Sequence, residues 1–244
     1  MKRTVVRVAA AGDVHCSRDS REAALESFGS LEGEADVLLL AGDLTTCGDP
    51  DEAAVVAEAC RQLPFPVVAV LGNHDWHENR TDEIRAVLEG AGITLLDRNS
   101  TVVDVDGTAV GVVGTKGFVG GFPDSQLPDF GEPLLRSIYA ETSADVAALA
   151  AGLDAVSECP LRIVLLHYAP TPTTLEGEPR GIYAFLGSDR LARPIADHVP
   201  DLVLHGHGHA GSFEGFIGKV PVYNVARPVM RRDFWIFELD GSHA

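Results

Sequence analysis

The chain has 244 residues, with 19 Lys and Arg against 36 Asp and Glu, a formal net charge of −17. A chain of this length can bury about 70–75% of its unfolded surface, so its core needs no disulfide or structural metal. The acidity argues against a protein that wraps DNA or RNA or lies on an anionic membrane, because those partners need a positive field, and 45% hydrophobic residues argue against a disordered chain.

Residues 4–11 read as a first strand. Arg7 interrupts the apolar stretch and Gly12-Asp13 ends it without a cleavage site, so a signal peptide is not expected. A weak helical pattern at 18–28 leads to a second buried run at 36–41. Asp49-Pro50-Asp51-Glu52 supplies an N-cap, a Pro at the first helical position and an acidic residue three after the cap, which predicts a helix through 53–63. A third run at 66–71 precedes a weak helix at 82–89. Asp106-Gly107 between apolar stretches 101–105 and 109–113 predicts a hairpin, so the sheets are expected to be mixed. The Gly- and Pro-rich stretch 117–133 reads as a long surface loop or cap. Thr142-Ser143-Ala144-Asp145 resembles a helix start for the Ala-rich stretch to about residue 157. Runs at 162–166 and 201–204 flank a weak helix at 188–198, and strands are expected at 220–225 and 234–239. Nothing resembles a linker, which predicts a single domain over residues 1–244. No apolar run approaches the ~20 residues of a membrane span. Cys16, Cys47, Cys60 and Cys159 form neither a CxxC pair nor a zinc ribbon, as expected of reduced thiols in a cytoplasmic protein.

The polar residues concentrate where the buried runs end. The first run ends in Gly12-Asp13-Val14-His15, the second in Gly42-Asp43, and the third in Gly72-Asn73-His74-Asp75. The fourth ends in His167 and the fifth in His205-Gly206-His207-Gly208-His209. Any one Gly-Asp after a strand is an ordinary turn. Five such endings together point to one ligand site, because open α/β sheets bind ligands at the carboxyl ends of their strands.

Imidazole with carboxylate suits divalent Mn, Fe, Co, Ni and Zn. Asp13, His15, Asp43, Asn73, His167, His207 and His209 make seven candidate ligands. That is too many for one catalytic ion with open positions and suits two ions sharing a carboxylate, the arrangement that clamps both oxygens of a displacement at phosphorus.

The order DxH, GD, GNH followed by an acid, a lone His and GHxH resembles the calcineurin-like metallophosphoesterases, and the motifs span residues 13–209. The resemblance implies a four-layer α/β/β/α sandwich of two mixed β-sheets flanked by helices. It implies two divalent transition-metal ions, with manganese favoured. Asp13, His15 and His209 would hold one ion, and Asn73, His167 and His207 the other, with Asp43 between them. It further implies attack by a metal-bridging hydroxide in line on a small phosphoester. His74 would face the phosphate, and Asp75 would orient His74. Protein Ser/Thr phosphatases of this family have Arg-Gly after GD and a GNHE motif. Here Leu44-Thr45 and Gly72-Asn73-His74-Asp75 stand in those places, which favours a phosphodiester or nucleotide over a phosphoprotein. Two alternatives stay open: a phosphomonoesterase or protein phosphatase, and a binding scaffold on the same fold such as the metallophosphoesterase-like subunit of the retromer coat.

Lys116 in a Gly-rich, aromatic stretch, Arg180 and Arg227 are candidates to touch substrate, as is Arg231. His77 and His205 lie beside the motifs, with His205 expected to be packed at its strand end.

Overall fold

Residues 5–241 are described in the computed structural model. In chain order the strands are β1 (Val5–Ala11), β2 (Val37–Ala41), β3 (Val67–Val70), β4 (Thr94–Leu96), β5 (Asn99–Val105), β6 (Thr108–Gly114), β7 (Leu161–Leu165), β8 (Leu202–His205), β9 (Glu214–Ile217), β10 (Val220–Asn224) and β11 (Trp235–Asp240). The α-helices are α1 (Arg21–Gly29), α2 (Pro50–Arg61), α3 (Thr81–Glu89), α4 (Pro133–Ala155), α5 (Tyr183–Leu186), α6 (Ala192–His198) and α7 (Arg227–Met230).

Two mixed sheets form, as the Asp106-Gly107 hairpin requires. The first has the order β11-β1-β2-β3-β4 and is parallel except for β11. The second has the order β5-β6-β7-β8-β10-β9, with β6, β7, β8 and β10 parallel and β5 and β9 antiparallel at its edges. Side chains alternate across a strand, and in the second sheet this divides the core. Ile163, Leu165, Leu202 and Leu204 pack in the cluster that contains β1–β3. Val164, Leu166 and Val203 point the other way, onto Leu149 and Leu153 of α4 and Ile195 of α6. On the far side of the first sheet, α1, α2 and α3 pack side by side and send Phe28, Val56, Ile84 and Leu88 into the first cluster. Helices, sheet, sheet and helices thus make four layers. Each such side chain, when fully buried, contributes about 1.5–3 kcal/mol relative to exposure.

The start of α2 is as expected, with Asp49 Oδ1 accepting from the Asp51 N–H at 3.0 Å and Pro50 at the first position. Glu52 does not reach back to close a capping box. Its Oε2 accepts from Thr46 N and Cys47 N, each at 2.9 Å, and so ties the loop after β2 to the helix.

Several expectations are corrected. The helix expected to begin at Thr142 begins at Pro133, so the stretch 117–133 ends in helix rather than loop. Thr142 and Asp145 do not cap it. Thr142 Oγ1 donates to the Val119 carbonyl at 2.6 Å, and Asp145 Oδ1 accepts from Thr115 Oγ1 at 2.6 Å and from Arg98 Nε at 2.8 Å. Side chains that can cap a helix here face inward and hold the loop after β6. The stretch 188–198 divides into a 3₁₀ turn, Asp189–Leu191, and α6. Strands β4 and β9 carry no sequence signal. Each has only three or four residues, too few for a period to register. Thr4 lies outside the described residues. Among the described residues the cysteines are free, and no helix is long and apolar enough to cross a membrane.

Candidate metal centre

Parallel register brings the ends of β1, β2 and β3 to one edge, and the ends of β7 and β8 face them from the second sheet. The loops after β1 and β2 continue the ladder. Asp13 N–H donates to the Gly42 carbonyl and His15 N–H to the Asp43 carbonyl, both at 3.0 Å. Within these loops Asp13, His15 and Asp43 have φ of +55°, +44° and +50°, and His207 has +69°. Side-chain-bearing residues adopt this region at a cost on the order of 1–3 kcal/mol each, and they hold it only where neighbours over-determine it, commonly at functional sites. Glycine is required at Gly42, which has φ of +82° and leaves no room for a Cβ 2.6 Å from His167 Nδ1. Gly72 is required by approach alone, because a Cβ there would collide with Asp43 Oδ1.

All seven candidate ligands are brought to this edge. Asp13 Oδ1 lies 2.7 Å from His209 Nε2, and Asp13 Oδ2 accepts the His207 N–H at 2.9 Å. Asp43 Oδ1 accepts the His74 N–H at 2.8 Å and lies 3.4 Å from His167 Nε2. Asp43 Oδ2 is 3.9 Å from Nε2 of both His15 and His74. Asn73 Oδ1 sits 2.8 Å from His167 Nε2. Donor atoms within 4.8 Å of one another form three overlapping groups: Asp13, His15 and His209; His15, Asp43 and His74; and Asp43, His167 and His207.

The rings are aimed by backbone carbonyls. His15 Nδ1 meets the Thr45 carbonyl at 3.3 Å, His74 Nδ1 that of Thr46 at 2.7 Å, and His167 Nδ1 that of Ala41 at 2.9 Å. His207 uses its other nitrogen, with Nε2 at 3.1 Å from the Phe185 carbonyl. A carbonyl only accepts, so each of these nitrogens carries the hydrogen. The lone pair is then left on Nε2 of His15, His74 and His167 and on Nδ1 of His207. Such a second hydrogen bond is what fixes the tautomer of a metal-ligating imidazole. The donor set fits divalent transition ions, since imidazoles, two carboxylates and an amide oxygen converge on one edge.

Charge follows burial and contact. Burial pushes His207 down to about 3 and His205 down to about 4, so both stay neutral. His209 is raised by its hydrogen bond to Asp13. Burial alone would raise Asp13, but the His209 hydrogen bond and the neighbouring imidazoles bring it below the usual carboxylate range.

The expected role of Asp75 is corrected. Its carboxylate does not touch the His74 ring, which the Thr46 carbonyl aims instead. Asp75 Oδ1 accepts from Thr45 N at 2.8 Å and Thr45 Oγ1 at 2.6 Å, and Oδ2 from Gly72 N at 2.8 Å and Leu44 N at 3.2 Å. It fastens the Asp43 loop to the Asn73 turn from beneath, and burial raises its pKa against the pull of those four donors.

The four basic candidates separate, with Arg231 at a hollow it shares with Ser30 and Phe234. Lys116 lies beside the cluster, in a cleft lined also by Asn73, Trp76, Phe118, Glu141 and Tyr168. Arg180 lines a different hollow with Phe122, Pro172 and Tyr183. Arg227 is not brought to the cluster. Its guanidinium donates to the Asp233 carbonyl and to Ser27 Oγ and covers the Phe234 ring. His205 is buried as expected, with Nε2 at 2.8 Å from Thr174 Oγ1, while the His77 ring stacks 4.3 Å from that of His74. Sequence reasoning did not single out Tyr168, Trp76 or the carbonyls of Thr45, Thr46 and Phe185. Tyr168 and Trp76 adjoin motif residues, and that adjacency was the one available signal.

The chain belongs to the calcineurin-like phosphoesterase family, whose pattern it matches over residues 6–211. It is therefore assigned to metal-dependent phosphoester hydrolases. Its fold is similar to that of TT1561 of Thermus thermophilus, with 18% identity, a TM-score of 0.58, and 98% of this chain and 100% of that one covered. A putative 5'-nucleotidase from Staphylococcus aureus, crystallised with alpha-ketoglutarate, aligns at 15% identity and a TM-score of 0.58, covering 91% of this chain and 48% of that protein. GAP50, the anchor in the inner membrane complex of Plasmodium, aligns at 14% identity and the same TM-score, covering 92% and 72%. No curated protein matches the chain significantly.

Proposed function

We propose that the protein hydrolyses a small phosphodiester or nucleotide at two divalent ions, with Asp43 shared between them. The observation that carries this reading is the overlap of the donor groups, in which His15 and Asp43 each belong to two. Asp13, His15 and His209 would hold one ion, and Asn73, His167 and His207 the other. When bound, such ions supply positive charge against phosphoryl oxygens and acidify water.

The chain's own residues supply the rest. His74 keeps Nδ1–H on the Thr46 carbonyl, so a second proton would sit on Nε2, 3.9 Å from Asp43 Oδ2. That proton is placed to pass to a departing ester oxygen. Lys116 is the basic candidate beside the cluster, while Arg227 is engaged elsewhere and Arg180 and Arg231 line other hollows.

The test is hydrolysis of an aryl diester, an aryl monoester and a nucleotide panel by protein reconstituted with Mn²⁺. Activity is expected with metal, absent with EDTA, and greatest on diesters. Asp43→Ala is expected to lower kcat on every substrate by on the order of 10³-fold, as loss of several kcal/mol of charge stabilisation requires. Full activity in EDTA or in Asp43→Ala would overturn the reading.

A further inference from the structure

Beside the cluster, sharing Asn73 with it, is a cleft of about 320 Å³. This is near the low end of the ~300–1,000 Å³ of small-molecule sites, enough for one flat ring system. It is lined by the rings of Trp76, Phe118 and Tyr168 together with Asn73, Lys116 and Glu141. Trp76 is 45% exposed, an uncovered indole two residues from His74. Tyr168 is buried, and its ring lies 4.5 Å from that of His207 and 6.0 Å from that of Phe118. One wall of the cleft is thus continuous with the candidate ligands.

Lys116 is set among these rings, with Nζ 4.4 Å from the centre of Phe118, 5.0 Å from Tyr168 and 6.0 Å from Trp76. Its one hydrogen bond is to the Gly117 carbonyl at 3.1 Å, and among the described residues it makes no ion pair. An ammonium carries three N–H donors. Two therefore make no hydrogen bond, in a cleft lined otherwise by three aromatic rings, Asn73 and Glu141. An alkyl chain would leave those donors unmet, whereas a flat heteroaromatic ring offers faces to the walls and lone pairs at its edge.

We infer that this cleft receives a planar heteroaromatic group of the ester, of nucleobase size, between Trp76, Phe118 and Tyr168, with Lys116 donating to its edge. The inference rests on the phosphoesterase reading for the placement of the phosphate, and it names the organic group of that substrate. Base–aromatic stacking of this kind commonly strengthens binding by on the order of tenfold or more per base.

The two tryptophans, Trp76 and Trp235, allow a direct test. In a Trp235→Phe background Trp76 is the sole indole fluorophore. Metal-reconstituted protein is titrated with adenosine 5′-monophosphate, ribose 5-phosphate and inorganic phosphate at fixed metal. The nucleotide is expected to bind at least about tenfold more tightly than ribose 5-phosphate and to be the one that shifts Trp76 emission. Lys116→Met and Phe118→Leu, which keep the bulk of the wall, are each expected to shrink that difference severalfold. Equal affinities for nucleotide and sugar phosphate, or a difference that survives both substitutions, would overturn the inference. The two readings fail separately. A protein that binds the base but hydrolyses no phosphoester refutes the proposed function and leaves the cleft, whereas hydrolysis indifferent to the base refutes the cleft alone.

Discussion

The cluster and the cleft share Asn73 but are built by different means. The cluster draws a side chain from each of five strand ends, β1, β2 and β3 on one sheet and β7 and β8 on the other, and clamps four imidazoles to backbone carbonyls. Its backbone is held in left-handed conformations that only a tight frame sustains. The cleft draws on the turn after β3, the loop after β6, Glu141 of α4 and the residue after His167, and three of its six lining residues are aromatic. Two hydrogen bonds with α4, Thr142 Oγ1 donating to the Val119 carbonyl and Thr115 Oγ1 donating to Asp145 Oδ1, brace that loop. Ligands that converge on ions tolerate little displacement, while stacked rings exclude water over a broad range of geometry. The contrast assigns the reaction to the rigid region and the choice of substrate to the adaptable one, so a change in either should have its own kinetic signature.

Among variants outside the candidate ligands, Asp75→Asn should have the largest effect, and it should fall on the cluster. The carboxylate accepts four hydrogen bonds from Leu44, Thr45 and Gly72. An amide keeps one acceptor oxygen and turns an NH₂ toward donors. Each buried donor left unmet costs about 1–3 kcal/mol, and loss of a group that orients metal ligands commonly costs about 10–100-fold in activity or metal affinity. The expected outcome is a lowered melting temperature and a kcat reduced by that factor on all substrates alike. A loss confined to nucleotides would break the division between the two regions.

Much of the cluster was legible because each ligand stands directly after a run of buried residues. In Val67–Val70 followed by Leu71, Gly72 and Asn73, the apolar run marks the strand and the change to polar residues marks its end. Parallel neighbours then bring such ends together without further information. The aim of each ring was not legible, since it depends on carbonyls at Thr45, Thr46, Ala41 and Phe185 whose direction is a property of the folded loops. Asp75 was misread for the same reason. The resemblance implied that Asp75 orients His74, but the 3₁₀ turn His74–Trp76 sends consecutive side chains in different directions. The cleft was the least legible. Trp76, Lys116 and Tyr168 are far apart in sequence and share no motif, and Thr142 and Asp145, which brace its loop, imitate a helix cap.

Proton release on metal binding would sharpen the picture of the cluster at the level of single ligands. The Asp13 hydrogen bond raises His209, so this imidazole keeps its proton to higher pH than a free one. A metal must displace that proton to take the nitrogen. As pH falls through the raised value, more protons are released per ion, and affinity should weaken by up to about tenfold per pH unit. His207, pushed down to about 3, is neutral at every working pH and contributes nothing. Calorimetry in buffers of different ionisation enthalpy should report more protons released about a unit below neutrality than about a unit above it. Equal counts at both would place His209 outside the ligand set.

The smallest expected effect is on the cleft alone. Thr142→Val keeps the shape of the side chain and removes the 2.6 Å hydrogen bond to the Val119 carbonyl. A single such bond is worth about 1 kcal/mol, which is roughly a fivefold change in an equilibrium. The bond lies behind the loop and touches neither the candidate ligands nor the aromatic walls. Its loss should therefore loosen Lys116 and Phe118 without moving Asp43 or His74. KM for a nucleotide substrate should rise by up to about fivefold, and the affinity reported by Trp76 should fall in step. On a methyl phenyl diester, whose ring offers Lys116 no acceptor at its edge, kcat should hold. If kcat on that ester fell together with nucleotide affinity, the loop after β6 would be part of the rigid frame, and the separation between reaction and selection would not hold at this wall.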